Sequence, residues 1–196
     1  GAFLQVTGAG QFLIDLSFAA AGKYRGGPAK ASVLASAAMG SISGSAIANT
    51  VTTGSLTIPM MKKLGYKPEQ AAGIEAAAST GGQIMPPIMG AGAFVMAEFT
   101  KTPYGEIVWI ALVPAVLYFS SVLLYVHLMA AKAGFKGMQG QPGAWGVFVN
   151  GLHFMLPLGL ITALLLWNYL PALLRQYLLR KHTRIGLRQL VEGLKQ

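Results

Sequence analysis

The chain is expected to be all-α and integral to a membrane: a multi-span helical bundle carrying a re-entrant hairpin and a discontinuous helix. Three observations lead there. Of the 196 residues, 54% are hydrophobic and 11% charged, and the mean hydropathy is +0.53, a balance that belongs to membrane proteins rather than soluble domains. Apolar stretches with at most one charge recur at residues 1–22, 76–97, 107–131 and 147–174, each long enough to cross a hydrocarbon core about 30 Å thick. Two apolar elements are interrupted in their middle by Gly, Ser, Asn or Pro.

The first stretch, 1–22, carries only Asp15, which this reading places deep in the membrane and treats as a functional or helix-bonding candidate. The second, ASVLASAAMGSISGSAIANTVTTGSLTIPMM (31–61), has no charge but gathers Ser41, Ser43, Gly44, Ser45 and Asn49 at its centre. A turn at Gly40–Ser45 leaves arms of roughly 10 and 15 residues, rising about 15 and 22 Å, which dip partway into the core. Backbone freed at membrane depth is tolerated only where protein buries it or a water-filled cavity receives it. Taken alone, GSISG is also a small-xxx-small helix-packing pattern.

Residues 70–99 hold a second interruption, STGGQIMPPIMG (79–90), in which Gly81, Gly82, Pro86 and Pro87 break an apolar run. Consecutive prolines remove two backbone donors and push the preceding residue out of helical geometry, giving a discontinuous or kinked helix. Glu75 and Glu98 flank this element and read as interfacial or locally paired. A span at 107–131 follows, then a Gly-rich loop at 134–146, a further span at 147–174 and a basic tail. Residues 1–136 are thus expected to form one structural unit, and 147–196 an additional span with its basic tail.

The formal charge of +9 sits in short loops and the tail, as the positive-inside rule expects, and not in a nucleic-acid-binding face. Lys23, Arg25 and Lys30 precede the hairpin, and Lys62, Lys63 and Lys67 follow it, so both its ends face the cytoplasm. Lys101 alone marks the opposite side, and Lys132 and Lys136 return to the first. The tail carries Arg175, Arg180, Lys181, Arg184, Arg188 and Lys195, so one more crossing places it on the wrong side, and the charges predict a span missing near Pro171. Leu187, Leu190, Val191 and Leu194 recur at helical spacing, as in an amphipathic helix on an anionic lipid surface or a surface linker.

Catalysis finds little support. The chain has no Cys, His127, His153 and His182 are far apart in sequence, and no GxxxxGK[ST] loop occurs, which argues against thiolate metals, zinc chemistry and an ATP-driven pump. Broken helices meeting at the midplane suit a secondary transporter, where half-helix N-termini face anions and freed oxygens hold Na⁺ or H⁺. Ser41, Ser43, Ser45, Asn49, Thr50, Ser79, Thr80 and Gln83 offer neutral oxygens, a set that favours Na⁺ over Mg²⁺ or Zn²⁺.

The run GSISGSAIANTVTTGSLTIPMMKKLGYKPEQAAGIEAAASTGGQIMPPIMGAGAFVMAEF (40–99) closely resembles the large membrane subunit of tripartite ATP-independent periplasmic (TRAP) transporters, the fused TAXI-type permeases above all. FLIDLSFAAAGKYRGGPAK upstream and PALLRQYLLRKHTRIGLRQLVEGLKQ downstream are also similar to that family. The resemblance implies half of an inverted-repeat elevator in the bacterial inner membrane, a sodium-coupled symporter for a small carboxylate such as a dicarboxylate. It implies a periplasmic solute-binding protein, a small membrane subunit or its fused equivalent, and a second permease half as partners. Carried onto this sequence, Ser43, Ser45, Asn49, Thr80 and Gly82 ligate sodium, Ser41, Gly44 and Gln83 border the solute, and the helix beginning near Ala46 aims its positive end at the carboxylate. The second half, and a span between the WNYLP and LLRKHTR regions, are missing relative to the family pattern. A partial chain or a non-functional remnant accounts for that, and a non-transporting helix-packing scaffold is the other function class.

Overall fold

The computed structural model describes residues 8–138, 140 and 143–166, and among these residues it is helical with no strand. The helices are α1 (Ala9–Ala21), α2 (Gly27–Ser43), α3 (Ala46–Lys63), α4 (Pro68–Gly81), α5 (Ala91–Thr100), α6 (Tyr104–Lys132), α7 (Ala144–Asn150) and α8 (Leu152–Leu166). Local chemistry sets several of these ends. Pro28 and Pro68 occupy first-turn positions, where a missing N–H costs nothing. Ser45 caps α3, its hydroxyl accepting from the Ala48 N–H at 3.3 Å. Lys62 and Lys63 lie in the last turn of α3, and Glu106 and Lys132 at the first and last turns of α6, each favourably placed against the helix dipole.

Helices α2, α3 and α4 pack on one another, with α6 against the outer side of α2 and α4. Their shared core joins Ala29, Val33, Met61, Ala71, Ala78 and Val126, each fully buried. Alanine dominates because small side chains let helix backbones approach closely, so packing and polar contacts can hold helices where lipid removes the hydrophobic drive. A second cluster seats Ile14, Phe18 and Ala21 of α1 on Ala31 and Ala35 of α2.

The apolar stretches do not map onto equal helices. Within 1–22, α1 covers 13 residues, and 76–97 is divided between the end of α4 and α5. Among the described residues, only the 29-residue α6 is a single helix long and apolar enough to cross a membrane; α7 and α8 meet at a 66° bend. Trp109, Ile110, Val113, Leu117 and Leu128 lie exposed along α6, giving it the apolar outer surface expected of a lipid-facing or partner-facing span. The tail charges and the region of Pro171 lie outside the described residues.

Asp15 lies on the side of α1 turned away from α2, accepting a hydrogen bond from Gln11 Nε2 at 2.8 Å. One acidic assignment needs correcting. Glu75 is neither interfacial nor paired with a base: it is fully buried at the centre of α2, α3 and α4. Glu98, by contrast, pairs with Lys101 at 2.7 Å on the surface.

Candidate functional site

The chain reverses between α2 and α3 at Gly44, whose φ of 60° is a left-handed conformation natural to glycine. A side chain there would also collide with the Met89 carbonyl oxygen. The reversal therefore sits directly on the segment that interrupts α4 and α5, residues 82–90. Several bonds fasten the two together and shape the break. The Ile88 N–H donates to Ser41 O at 3.1 Å, and the Gly90 N–H donates to Gln83 O at 2.8 Å. The buried Tyr104 hydroxyl, at the start of α6, lies 2.9 Å from Pro87 O and 2.6 Å from Ile88 O. Pro86 and Pro87, joined by a cis peptide bond, cannot donate to these carbonyls or continue α4, so an outside hydroxyl serves the exposed backbone.

A cavity of about 720 Å³ opens beside this junction, lined by Gly44, Ser45, Gln83, Gly90, Ala91 and Met96 among others. It receives the N-termini of both α3 and α5. Neither first turn carries an acidic side chain, so the partial positive charge of both helix ends stays available to a ligand. Gly90 precedes α5 and permits close approach to the backbone there. Such a cavity suits a small anion, held by N–H groups and the Gln83 amide instead of a cationic side chain.

The sequence-derived residues separate into groups. Gly44 and Gln83 line the cavity together with Ser45. Ser41 donates its hydroxyl to Ala38 O at 2.8 Å within its own helix, while its carbonyl holds Ile88. Asn49 and Gly82 meet just beneath the tip: a Cβ built on Gly82 would lie 3.1 Å from Asn49 Nδ2 and 2.6 Å from Gly40 Cα. Asn49 is 1% exposed and donates to Ser36 O at 2.8 Å, whereas its Oδ1 is buried without a hydrogen-bond partner. Ser43 Oγ accepts from the Ser45 N–H at 3.4 Å, leaving Ser43 and Ser45 at the turn. Thr80 is exposed, with its hydroxyl donated to Ala76 O at 2.8 Å, and it does not join Asn49.

Sequence reasoning missed the polar centre below the tip. Ser32, Ser36, Thr53, Thr57 and Ser79 all place hydroxyls on the Glu75 carboxylate. A signal existed: Ser32/Ser36, Thr53/Thr57 and Glu75/Ser79 are i,i+4 pairs, each presenting two oxygens on one helix face. Among the described residues, no three His, Cys, Asp or Glu side chains gather into a metal site.

Residues 1–176 match the family described as Tripartite ATP-independent periplasmic transporter, DctM component. The chain belongs to that family. It is 34% identical over 130 residues to the C4-dicarboxylate TRAP transporter large permease protein DctM of Pseudomonas aeruginosa, an alignment covering 66% of this chain and 30% of that protein. It is 31% identical over 138 residues to the isethionate TRAP transporter permease protein DctMQ of Oleidesulfovibrio alaskensis, covering 70% and 21%. It is 34% identical over 87 residues to the 2,3-diketo-L-gulonate TRAP transporter large permease protein YiaN of Escherichia coli, covering 44% and 20%. The matched region thus amounts to less than a third of each relative's length. TRAP large permeases are membrane transport proteins, and the apolar α6 and the alanine-lined helix packing are of that kind.

Proposed function

We propose that this chain supplies one half of the solute and ion site of a TRAP permease, a sodium-coupled symporter that imports a small organic anion across the bacterial inner membrane. The observation that carries the reading is the cavity receiving the N-termini of α3 and α5 beside Gln83. Relatives named for C4-dicarboxylate, isethionate and 2,3-diketo-L-gulonate all concern small anions, consistent with two helix ends and no basic residue on the cavity. The hairpin α2–α3 is the re-entrant element, with Gly44 at its tip. A periplasmic binding protein delivers the solute, and a second permease half and a small membrane subunit complete the assembly.

Sodium fits the residues beneath the tip. The buried Asn49 Oδ1 has no hydrogen-bond partner, and an unpaired buried acceptor is stabilised by a cation. Asn49, the hydroxyls of Ser43 and Ser45 and the carbonyl of Gly82 are the donors of choice, whereas the outward Thr80 hydroxyl contributes only after turning inward. A bound cation here would add charge next to the helix ends and link ion binding to anion binding.

The test is uptake into proteoliposomes containing the complete permease that carries this segment, with its loaded binding protein. Uptake should require an inward sodium gradient, Asn49→Ala should raise the sodium concentration for half-maximal transport, and Gln83→Ala should raise the solute KM. Sodium-independent uptake at the wild-type rate, or both variants behaving as wild type, would refute the reading. The helix-packing alternative draws on the close Gly40–Gly82 approach. It predicts no transport and no sodium effect that depends on Ser43 or Asn49.

A further inference from the structure

Below the tip, the carboxylate of Glu75 and the hydroxyls of Ser32, Ser36, Thr53, Thr57 and Ser79 form a cluster whose residues are all 0% exposed. Ser32 Oγ lies 2.6 Å and Thr57 Oγ1 2.5 Å from Glu75 Oε2. Ser36 Oγ and Ser79 Oγ lie 3.0 and 3.1 Å from Oε1, which Thr53 Oγ1 also contacts. Ser36 Oγ is 3.2 Å from Thr53 Oγ1 and 3.5 Å from Ser79 Oγ, so oxygens from α2, α3 and α4 converge.

Two features call for a positive charge at this centre. A buried carboxylate is costly unless compensated, and among the described residues no Lys, Arg or His forms an ion pair with Glu75. The hydroxyl hydrogens are also oversubscribed. Thr53 has one hydrogen but reaches both Asn49 O, at 2.8 Å, and Glu75. Thr57 has one hydrogen but reaches both Thr53 O, at 3.0 Å, and Glu75. When these hydrogens satisfy the backbone carbonyls, the threonine lone pairs face the carboxylate oxygens, an arrangement that a cation among them stabilises. The ligand set narrows the choice of ion. Oxygen donors select hard cations, and a single carboxylate is neutralised by one positive charge, whereas a divalent ion would leave net charge in an apolar interior.

We propose that Glu75, with Ser32, Ser36, Thr53, Thr57 and Ser79, binds a sodium-sized monovalent cation that ties α2, α3 and α4 together. The site is separate from the one assigned to Asn49 and does not require the chain to transport anything. Ser36 touches both, its hydroxyl facing Glu75 and its carbonyl holding Asn49 Nδ2, so occupancy of the lower site also steadies the tip.

The experiment is thermal unfolding of the purified protein in detergent, with NaCl replacing choline chloride at constant ionic strength and with KCl and LiCl in parallel. A ligand that binds only the folded state raises its melting temperature with the logarithm of concentration. The wild type should show that rise. Glu75→Gln should lose the part of the rise that Asn49→Ala retains, with sodium affinity of that part down at least tenfold, and Thr57→Val should move its half-effect to several-fold higher sodium. Asn49→Ala should keep the Glu75-dependent rise, so a failure of sodium-coupled transport with this rise intact would refute the tip reading alone. A Glu75→Gln variant with the full sodium response overturns the proposal, as does a wild type that lacks the response. So does an infrared band of a protonated carboxyl that persists in saturating sodium and vanishes in Glu75→Gln, since a proton would then hold the place of the cation. If Glu75→Gln does not fold, Thr57→Val and Ser32→Ala decide, and an unmoved sodium midpoint in both overturns the assignment.

Discussion

The approach of Gly40 to Gly82 joins the hairpin tip to the end of α4, and adding one methyl group there should separate them. A Cβ on Gly82 would lie 2.6 Å from Gly40 Cα, 3.1 Å from Asn49 Nδ2 and 3.1 Å from Ser79 O. Carbon atoms in contact settle at about 3.5–4.0 Å, so Gly82→Ala requires the two backbones to part by about 1 Å. The φ of Gly82 is −58°, ordinary for alanine, so the whole penalty is steric. Overpacking costs about 1–3 kcal/mol, and an obstacle made of backbone, which has no rotamer to adopt, places this case at about 2–3 kcal/mol. For a chain of this size that lowers the melting temperature by about 4–12 °C. The control is Gly73→Ala in the middle of α4, where an added Cβ meets nothing within 4 Å. There the smaller entropy of the unfolded chain should stabilise by about 0.4–1 kcal/mol. Melting curves of both variants and the wild type in the same detergent check the pair. A Gly82→Ala protein that melts at or above the wild-type temperature would refute the close packing of tip and break.

Two further substitutions probe hydroxyls with opposite surroundings. Tyr66 is 3% exposed in the α3–α4 loop, its ring against Phe135 with centroids 4.4 Å apart, and its buried hydroxyl has no hydrogen-bond partner. Burial pushes that hydroxyl up to about 12. Tyr66→Phe should therefore lose nothing and gain about 1 kcal/mol, because it removes an unsatisfied polar atom while keeping the ring; a lower melting temperature would contradict this. Tyr104→Phe keeps the stack on Phe94, whose centroid is 4.6 Å away, but strips the donor from Pro87 O and Ile88 O. It should cost about 1–2 kcal/mol and speed hydrogen exchange at the Ile88 and Gly90 amides, whereas unchanged stability and exchange would show that the break holds its shape without it.

Much about this protein follows from the one-dimensional order of its residues. Composition dictates a helical membrane protein, because only helices and closed barrels satisfy their backbone in lipid and the runs here are of helical length. The charge-free GSISG and GGQIMPP segments mark where helices end, since serine, glycine and proline act on backbone geometry locally, and the same segments carry the resemblance to TRAP permeases. What a linear reading cannot supply is which side of each helix faces inward. Hydropathy measures position along the chain, so Asp15, within an apolar run, looked deep, while Glu75, a few residues from a loop, looked superficial. The packing of α2, α3 and α4 sets the side each takes: α1 turns Asp15 away from α2, and Glu75 falls buried where three helices meet. Likewise Ser32/Ser36, Thr53/Thr57 and Glu75/Ser79 are unremarked i,i+4 pairs until helix packing sets their faces together. Class, breaks and family are legible in the residue order, since they rest on composition and on local backbone chemistry. Where the buried charge lies follows from packing alone, because burial depends on the direction a side chain takes from its helix, and neighbours distant in sequence set that direction.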